Sequence, residues 1–281
     1  MSLHTSLSVA ACLRQAQGLG LARLDAQILL LHALAQPLHD RAWLLAHDTE
    51  VLNEAQQHRW GLALQRRLQG EPVAYITGRK DFFGLTLAVD ARVLDPRPDT
   101  EILVEWALEL LPPGPTGRVL DLGTGSGAVA LALQHQRPAA QVTAVDASVD
   151  ALAVASANAQ RLNLPVKCVL SHWMDAVTGP FDLIVSNPPY VAEGDPHLAA
   201  LTHEPVQALT SGPDGLDDIR QIIAQAPNRL APGGWLLLEH GWDQAAPVQA
   251  LLRRAGFEEV QSRRDLGGIE RCTGARMPHG T

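Results

Sequence analysis

Two short stretches of this 281-residue chain carry residue types that could do chemistry together. The first runs Val119-Leu120-Asp121-Leu122-Gly123-Thr124-Gly125-Ser126-Gly127-Ala128. It reads as a buried strand that enters a glycine-rich turn and continues as a helix. Glycines permit the tight turn and let a ligand approach the backbone closely. Asp146 ends the next apolar run, 23 residues after Gly123 (146 − 123). A carboxylate there can accept two hydrogen bonds from a ribose, and a hydrogen bond to a charged group is worth about 1.5–3 kcal/mol. The second stretch is Phe181-Asp182-Leu183-Ile184-Val185-Ser186-Asn187-Pro188-Pro189-Tyr190. Its residue types suit reaction at a nitrogen attached to a planar π system. Such a nitrogen is a poor nucleophile, because its lone pair is delocalised. The Asn187 side-chain oxygen and the Pro188 carbonyl can each accept one N–H of an NH2 group, which fixes the nitrogen and aims its lone pair. Pro188 and Pro189 bring no competing N–H and stiffen the turn, and Tyr190 can stack on the planar group. The nitrogen becomes acidic only as it is alkylated, so no strong base is needed. Catalysis would come from alignment and preorganised dipoles. No Ser/His/Asp or Cys/His arrangement offers a rival nucleophile.

The elements that must position these stretches alternate strand and helix. Candidate strands are Arg118–Leu122, Gln141–Val145, Val166–Leu170, Phe181–Ser186, Trp235–Glu239, Phe257–Arg263 and Arg271–Arg276. Helices are expected between the first five, one of them capped by Ser148. This pattern predicts a mostly parallel sheet covered on both faces, with one of the last two strands antiparallel at its edge. In such a sheet the carboxyl ends of the strands line the ligand crevice, so Asn187 should face whatever the glycine loop holds.

The first 70 or so residues read as helices. Leu24, Ile28, Leu31 and Ala35 predict one buried stripe. Asn53 with Gln56 forms a candidate capping box, and Gly70 a stop after the amphipathic run Trp60 to Leu68. From Val73 to about Arg92 the pattern predicts a short β-hairpin. A helix should begin near Asp99, turn Leu103, Trp106, Ala107 and Leu110 inward, and end before the loop Pro112 to Gly117. His4, His32, His39, His47 and His58 are scattered without metal-ligand spacing, so no metal is expected.

Composition narrows the function. The 22 basic and 30 acidic residues give a net charge of −8, which argues against a broad phosphate-gripping face. Lys80 and Lys167 are the only lysines, a bias we attribute to coding composition. Cys12, Cys168 and Cys272 are odd in number and far apart, so neither a zinc site nor a disulfide framework is indicated. There is no signal-like start and no apolar run near the ~18 residues that span a membrane. A cytoplasmic protein is expected.

Gly123-x-Gly125-x-x-Ala128 meets the loose dinucleotide fingerprint, so the loop alone leaves a nicotinamide enzyme open. Its Asp-x-Gly-x-Gly-x-Gly form resembles class I S-adenosylmethionine (SAM) methyltransferases, where the loop packs on the methionine and ribose portions. With Asn187–Tyr190 downstream, the chain as a whole resembles the HemK/PrmC family of protein-(glutamine-N5) methyltransferases. The resemblance rests on the helical N-terminal region, Tyr75-Ile76-x-Gly78, Pro96-Arg97-Pro98-Asp99-Thr100-Glu101, the glycine loop, Asn187–Tyr190, Glu204-Pro205 and Leu238-Glu239-His240-Gly241. Asn-Pro-Pro-Tyr is shared with DNA adenine and rRNA guanine methyltransferases; Arg-Pro-Asp-Thr-Glu is far more specific to this family.

The resemblance implies an α/β fold: a seven-stranded Rossmann-like class I SAM-dependent methyltransferase domain with a small N-terminal helical bundle. It places a substrate-recognition domain at 1–75, a β-hairpin linker at 76–95 and the methyltransferase domain at 96–281. It implies SAM contacts at Gly123, Thr124, Gly125, Ser126, Gly127, Asp146, Trp173 and Asn187. The substrate glutamine would lie on Asn187, Pro188, Pro189 and Tyr190, with Asn187, Pro188 and Tyr190 catalytic. The substrate would be the Gly-Gly-Gln loop of class 1 peptide-chain release factors, met by a monomer with no stable nucleic-acid or membrane binding. Trp173 would lie beside the adenine, or it is ordinary core packing. The Arg97 segment would be a buried polar linker near the pocket, and also a helix start with Asp99 as cap. His172 stands where Asp or Asn is common, which bears on contacts to the adenine edge. Asp81 replaces a common Glu, and Ala88 and Asp95 are expected to alter hairpin packing. Methylation of nucleic-acid amino groups, and SAM binding without catalysis, are the alternatives.

Overall fold

The computed structural model describes residues 7–111 and 117–279. His4 and most of the expected loop from Pro112 lie outside the described residues. The chain divides into two compact units, Met1–Arg79 and Lys80–Thr281.

The first unit is helical: α1 (Val9–Gly18), α2 (Arg23–Ala33), α3 (Arg41–Ala46), α4 (Glu54–Leu68) and α5 (Val73–Thr77). The Asn53–Gln56 capping box forms at the start of α4, with Asn53 Oδ1 accepting from Gln56 N at 2.9 Å and Gln56 Oε1 from Asn53 N at 2.8 Å. Gly70 follows α4 at φ +92°. Val9, Cys12, Leu29, Leu30, Leu31, Leu44, Trp60 and Leu64 build the core. The buried face of α2 is not the expected stripe. Leu24 is 50% exposed, and Ala35 lies beyond the helix end. Leu31 is buried as expected, but Ala26, Leu29, Leu30 and Ala33 complete the inward face. The run Ile28–Leu31 is apolar all round, so spacing alone cannot choose its face; packing against α1 and α4 does. Val73–Thr77, expected as the start of a hairpin, is a helical turn. Thr77 Oγ1 donates back toward the Val73 carbonyl at 3.0 Å, and Gly78 ends the turn at φ +69°.

The hairpin follows as β1 (Arg79–Phe82), which straddles the boundary, and β2 (Leu85–Ala88). A short 3-10 turn, Pro98–Thr100, leads into α6 (Glu101–Leu110). Then come β3 (Arg118–Leu122), α7 (Ala128–Gln136), β4 (Gln141–Asp146), α8 (Val149–Leu162), β5 (Lys167–Leu170) and β6 (Phe181–Ser186). The rest is α9 (Asp217–Gln225), β7 (Leu230–Glu239), α10 (Ala245–Arg254), β8 (Glu258–Arg264) and β9 (Glu270–Arg276). Seven strands form one sheet in the order β5-β4-β3-β6-β7-β9-β8. The first five in chain order are parallel along it, and β9 is antiparallel to both β7 and β8.

Two expectations need correction. No helix separates β5 from β6; that connection is a turn containing Trp173. The antiparallel strand is not at the edge, because β9 lies between β7 and β8. Cys272, Thr273, Gly274 and Ala275 of β9 are all buried, whereas β8 has no fully buried residue, so burial puts β8 outermost. Trp106 of α6 packs on β9, and a Cβ on Gly274 would come within 2.6 Å of its ring. Ser148 caps α8, accepting from Ala151 N at 3.2 Å. Among the described residues no helix is long and apolar enough to cross a membrane.

The chain runs outward from β3 through β4 to β5, then returns to β6 on the other side of β3. That reversal leaves a crevice at the carboxyl ends of β3, β4 and β6.

Candidate active site

A cavity of about 400 Å³ opens at this crevice, within the size range of small-ligand pockets. Its wall includes Gly123, Gly125, Asp146, Trp173, Asn187 and Pro189. Thr124, Ser126, Gly127, Pro188 and Tyr190, also expected at the site, are not among the residues that line it. Val93, Leu94, Pro205 and Gln207 also line the cavity, and the sequence reading gave them no role.

The glycine turn is held from both sides. Beneath it, Asp121 of β3 accepts from Thr124 Oγ1 at 2.7 Å and from Ala130 N at 3.2 Å. Burial pushes its carboxyl up to about 7. In front, Asp146 Oδ2 accepts from Gly125 N at 2.9 Å and Oδ1 from Ser148 N at 2.9 Å. Burial raises this carboxyl too, and the backbone donors oppose the rise. Each oxygen keeps a second lone pair, so the carboxylate can hold the turn and still accept from a ligand diol. Gly123 sits at φ +67°, and a Cβ there would stand 3.5 Å from the Trp173 ring and 4.0 Å from the Asn187 carbonyl. Gly125, at φ +54°, has no atom within 4 Å of where its Cβ would be. The turn is therefore bare where it meets the cavity.

Trp173 combines core packing with a place in the cavity wall. It belongs to the core that includes Leu122, Ile184 and Leu236, and it also lines the cavity. Its buried Nε1 has no hydrogen-bond partner among the described residues. His172 lines the same wall with its side chain 57% exposed. The features together fit an adenosine-bearing ligand such as SAM: a strand-end carboxylate for the ribose, a flat apolar face, and a turn without side chains.

Asn187 follows β6 directly. Ser186 pairs with Leu238 of β7, so Asn187 and Glu239 emerge from neighbouring strand ends. Asn187 Nδ2 donates to Thr100 Oγ1 at 3.1 Å, leaving Oδ1, the acceptor, for a ligand. Glu239 is buried, and burial pushes its carboxyl up to about 7. Burial and the nearby Glu239 raise the Tyr190 phenol to about 12, so it remains protonated. The turn is held from behind by Gln244, which donates to the Tyr190 carbonyl at 3.0 Å and accepts from Gly241 N at 2.8 Å.

Arg97 and Glu204 explain two motifs far apart in sequence. Arg97 Nη2 donates to both Glu204 oxygens, at 2.7 and 2.8 Å. Glu204 is buried, and desolvation raises its pKa while the Arg97 charge lowers it. The pair anchors the segment that carries Pro205 and Gln207 into the cavity wall. Asp99 makes no capping bond; Glu101 instead accepts from Phe83 N at 2.9 Å. Ala88 does not alter hairpin packing through its side chain, which is exposed. Its backbone matters: Asn158 of α8 donates to Ala88 O at 2.9 Å and to Ser126 O at 3.0 Å, tying hairpin to glycine loop. Asp95 is buried beside Lys80 at 3.0 Å. Asp81 accepts from Thr86 across the hairpin at 2.7 Å.

Thr100, Glu239 and Gln244 escaped the sequence reading as site residues. Glu239 had a signal, a lone carboxylate after the apolar run Trp235–Leu238. Thr100 lay within the family-specific segment but carried no sign of its partner. Among the described residues no cluster of three His, Cys, Asp or Glu could hold a metal ion.

Comparison with known proteins agrees with this geometry. A model of the methyltransferase small domain matches residues 98–213, and one of the PrmC N-terminal domain matches residues 8–78. The release factor glutamine methyltransferase of Bordetella pertussis is 52% identical over 262 residues, covering 92% of this chain and 96% of its own length. That of Salmonella typhimurium is 47% identical over 259 residues, covering 91% of this chain and 92% of its own. The solved structure of a methyltransferase from Pyrococcus furiosus is 19% identical, with a TM-score of 0.55 over 76% of this chain and 97% of that one. That likeness concerns the fold alone. The sheet order and the strand-end glycine loop define a methyltransferase of the Rossmann-like class. Within that class, the chain belongs to the release factor glutamine methyltransferase family.

Proposed function

We propose that this enzyme transfers a methyl group from SAM to N5 of the glutamine in the Gly-Gly-Gln loop of class 1 peptide-chain release factors, tuning translation termination. The observation that carries this reading is Asn187. It lines the cavity beside the glycine loop and Asp146, with its Nδ2 already committed to Thr100. The near-full-length relatives named for this activity support the substrate.

SAM, when bound, supplies an electrophilic methyl on a sulfonium. Gly123, Thr124, Gly125, Ser126 and Gly127 form the turn against which it rests. Asp146 accepts from its ribose, and Trp173 covers its adenine. Asn187 Oδ1 and the Pro188 carbonyl accept the two N–H bonds of the glutamine amide. That holds the nitrogen with its lone pair directed at the methyl. Pro189 stiffens the turn, and Tyr190 flanks the amide plane. The mechanism is alignment by fixed dipoles, with no base needed before transfer.

We assign residues 1–75 to release-factor docking, 76–95 to the linking hairpin and 96–281 to methyl transfer. The enzyme acts in the cytoplasm as a monomer. Its net charge of −8 suits a protein substrate and no stable hold on nucleic acid.

The test uses labelled SAM with a release factor, either wild type or with its loop glutamine replaced. Label should enter only the wild-type factor. Equal label on both would sink the substrate reading, and label on added RNA or DNA would redirect it.

A further inference from the structure

Asn158 of α8 is 0% exposed, and its amide is bonded at both ends. Its Oδ1 accepts from Ala88 N at 2.7 Å, and its Nδ2 donates to Ala88 O at 2.9 Å. The same Nδ2 donates to Ser126 O at 3.0 Å. Arg161, further along α8, adds a bond to Oδ1 at 3.1 Å. A backbone N–H only donates and a carbonyl only accepts, so these partners fix which end of the amide is which. A flipped amide would set donor against donor at Ala88 N and acceptor against acceptor at both carbonyls.

The two backbone partners lead to different parts of the cavity wall. Ser126 follows Gly125, which lines the cavity. Ala88 ends β2, and Arg92, Val93 and Leu94 just beyond it line the cavity as well. The link from Ala88 to them is internally bonded. Asp90 accepts from Arg92 N at 3.0 Å through its side chain and from Val93 N at 3.1 Å through its carbonyl. The hairpin is a sheet of its own, so no strand ladder among the described residues joins Ala88 to the glycine turn. Asn158 makes that join.

We propose that Asn158 is a positioning residue for SAM. It clamps the glycine turn to the end of the hairpin and so sets the width of the cavity between Gly125 and Val93. This rests on the cavity being the SAM site. Asn158 does not itself line the cavity, so it acts through the two backbone segments it holds. The clamp works in both directions: a ligand that steadies the turn also steadies the hairpin, because such coupling is reciprocal.

Asn158→Asp tests it on the full chain. The variant keeps the shape and the oxygen facing Ala88 N, but it sets an acceptor against two carbonyls. We expect the SAM Kd, by calorimetry, to rise at least tenfold. Turnover on a release factor at saturating SAM should stay within threefold of wild type, the pattern of lost uniform binding. Leu252→Ala, in the core on α10, controls for lost stability alone and should leave the Kd within twofold. Hydrogen exchange read by NMR gives a second measurement. In wild type, SAM should slow exchange at Ala88 N at least fivefold more than at amides of α10, and Asn158→Asp should lose that excess. A folded Asn158→Asp that binds SAM within twofold of wild type overturns the clamp. So does a Leu252→Ala of equal melting temperature that loses the same affinity. If Asn158→Asp does not fold, exchange in wild type decides alone, and no excess protection at Ala88 overturns the proposal. A wild type that binds no SAM sinks the cofactor reading and the clamp with it, whereas a wild type that binds SAM without the excess sinks the clamp only.

Discussion

At the scale of single residues, Asp146 and Asn187 share one cavity but should fail in different ways. Asp146→Ala removes the ribose acceptor and a tie to Gly125, so SAM affinity should fall about ten- to a hundredfold by calorimetry. Asn187→Ala should leave SAM affinity within a few-fold of wild type and lower kcat by about a hundredfold, an alignment effect. Equal loss of affinity in both variants would contradict the division. Asp121 and Glu239 carry a pH prediction. Burial raises both carboxyls to about 7. The native state thus keeps protons that the unfolded state has released above its pKa of about 4. The stability they contribute is full below about pH 4 and is lost as pH rises through about 7. Melting temperature should fall from pH 5 to 8, and Glu239→Gln should flatten that fall. Asn187 and Asp146 were legible in the sequence because each stands beside a turn whose residue types already imply a ligand. Thr100 was not, because a hydroxyl's role depends on which groups burial brings to it.

At the scale of elements, hydrophobic runs and turns located six strands of the main sheet within one residue, while β7 begins at Leu230, five residues before the expected Trp235 (235 − 230). What escaped was set by contacts distant in sequence. The inward face of α2 follows from its neighbours, since Ile28–Leu31 offers apolar side chains in every direction. The place of β9 follows from burial on both faces, which no local period announces. The Arg97–Glu204 tie is of the same kind. Removing Arg97 leaves a buried carboxylate without its partner, which costs about 1–3 kcal/mol. The side chain of Arg97 is 37% exposed, so water recovers part of that loss. Arg97→Ala should lower the melting temperature modestly and raise the KM for substrate, because Pro205 and Gln207 lose their anchor. A KM unchanged alongside a lowered melting temperature would make the pair purely structural. Gly127 makes a second test at this scale. It adopts φ +85°, and an added Cβ would lie 2.9 Å from Leu131 Cδ1. A left-handed residue with a side chain costs about 1–2 kcal/mol before any clash. Gly127→Ala should therefore destabilise the protein and weaken SAM binding, measured by melting and calorimetry.

At the scale of the whole molecule, each unit has its own apolar core, that of the first built on Leu29, Trp60 and Leu64. Deleting residues 1–75 should leave a SAM-binding protein that no longer methylates a release factor efficiently. Undiminished methylation by the shortened chain would remove the docking role. The order of strands has a further consequence for how the protein is made. Synthesis delivers β7 long before β9, which begins 31 residues after β7 ends (270 − 239). Leu236, Leu237 and Leu238 must wait through that interval with one edge of their strand unpaired. A nascent chain halted before Glu270 would be more than a slightly shortened enzyme. It would present an apolar strand edge to every other chain emerging nearby, the kind of template on which aggregation starts.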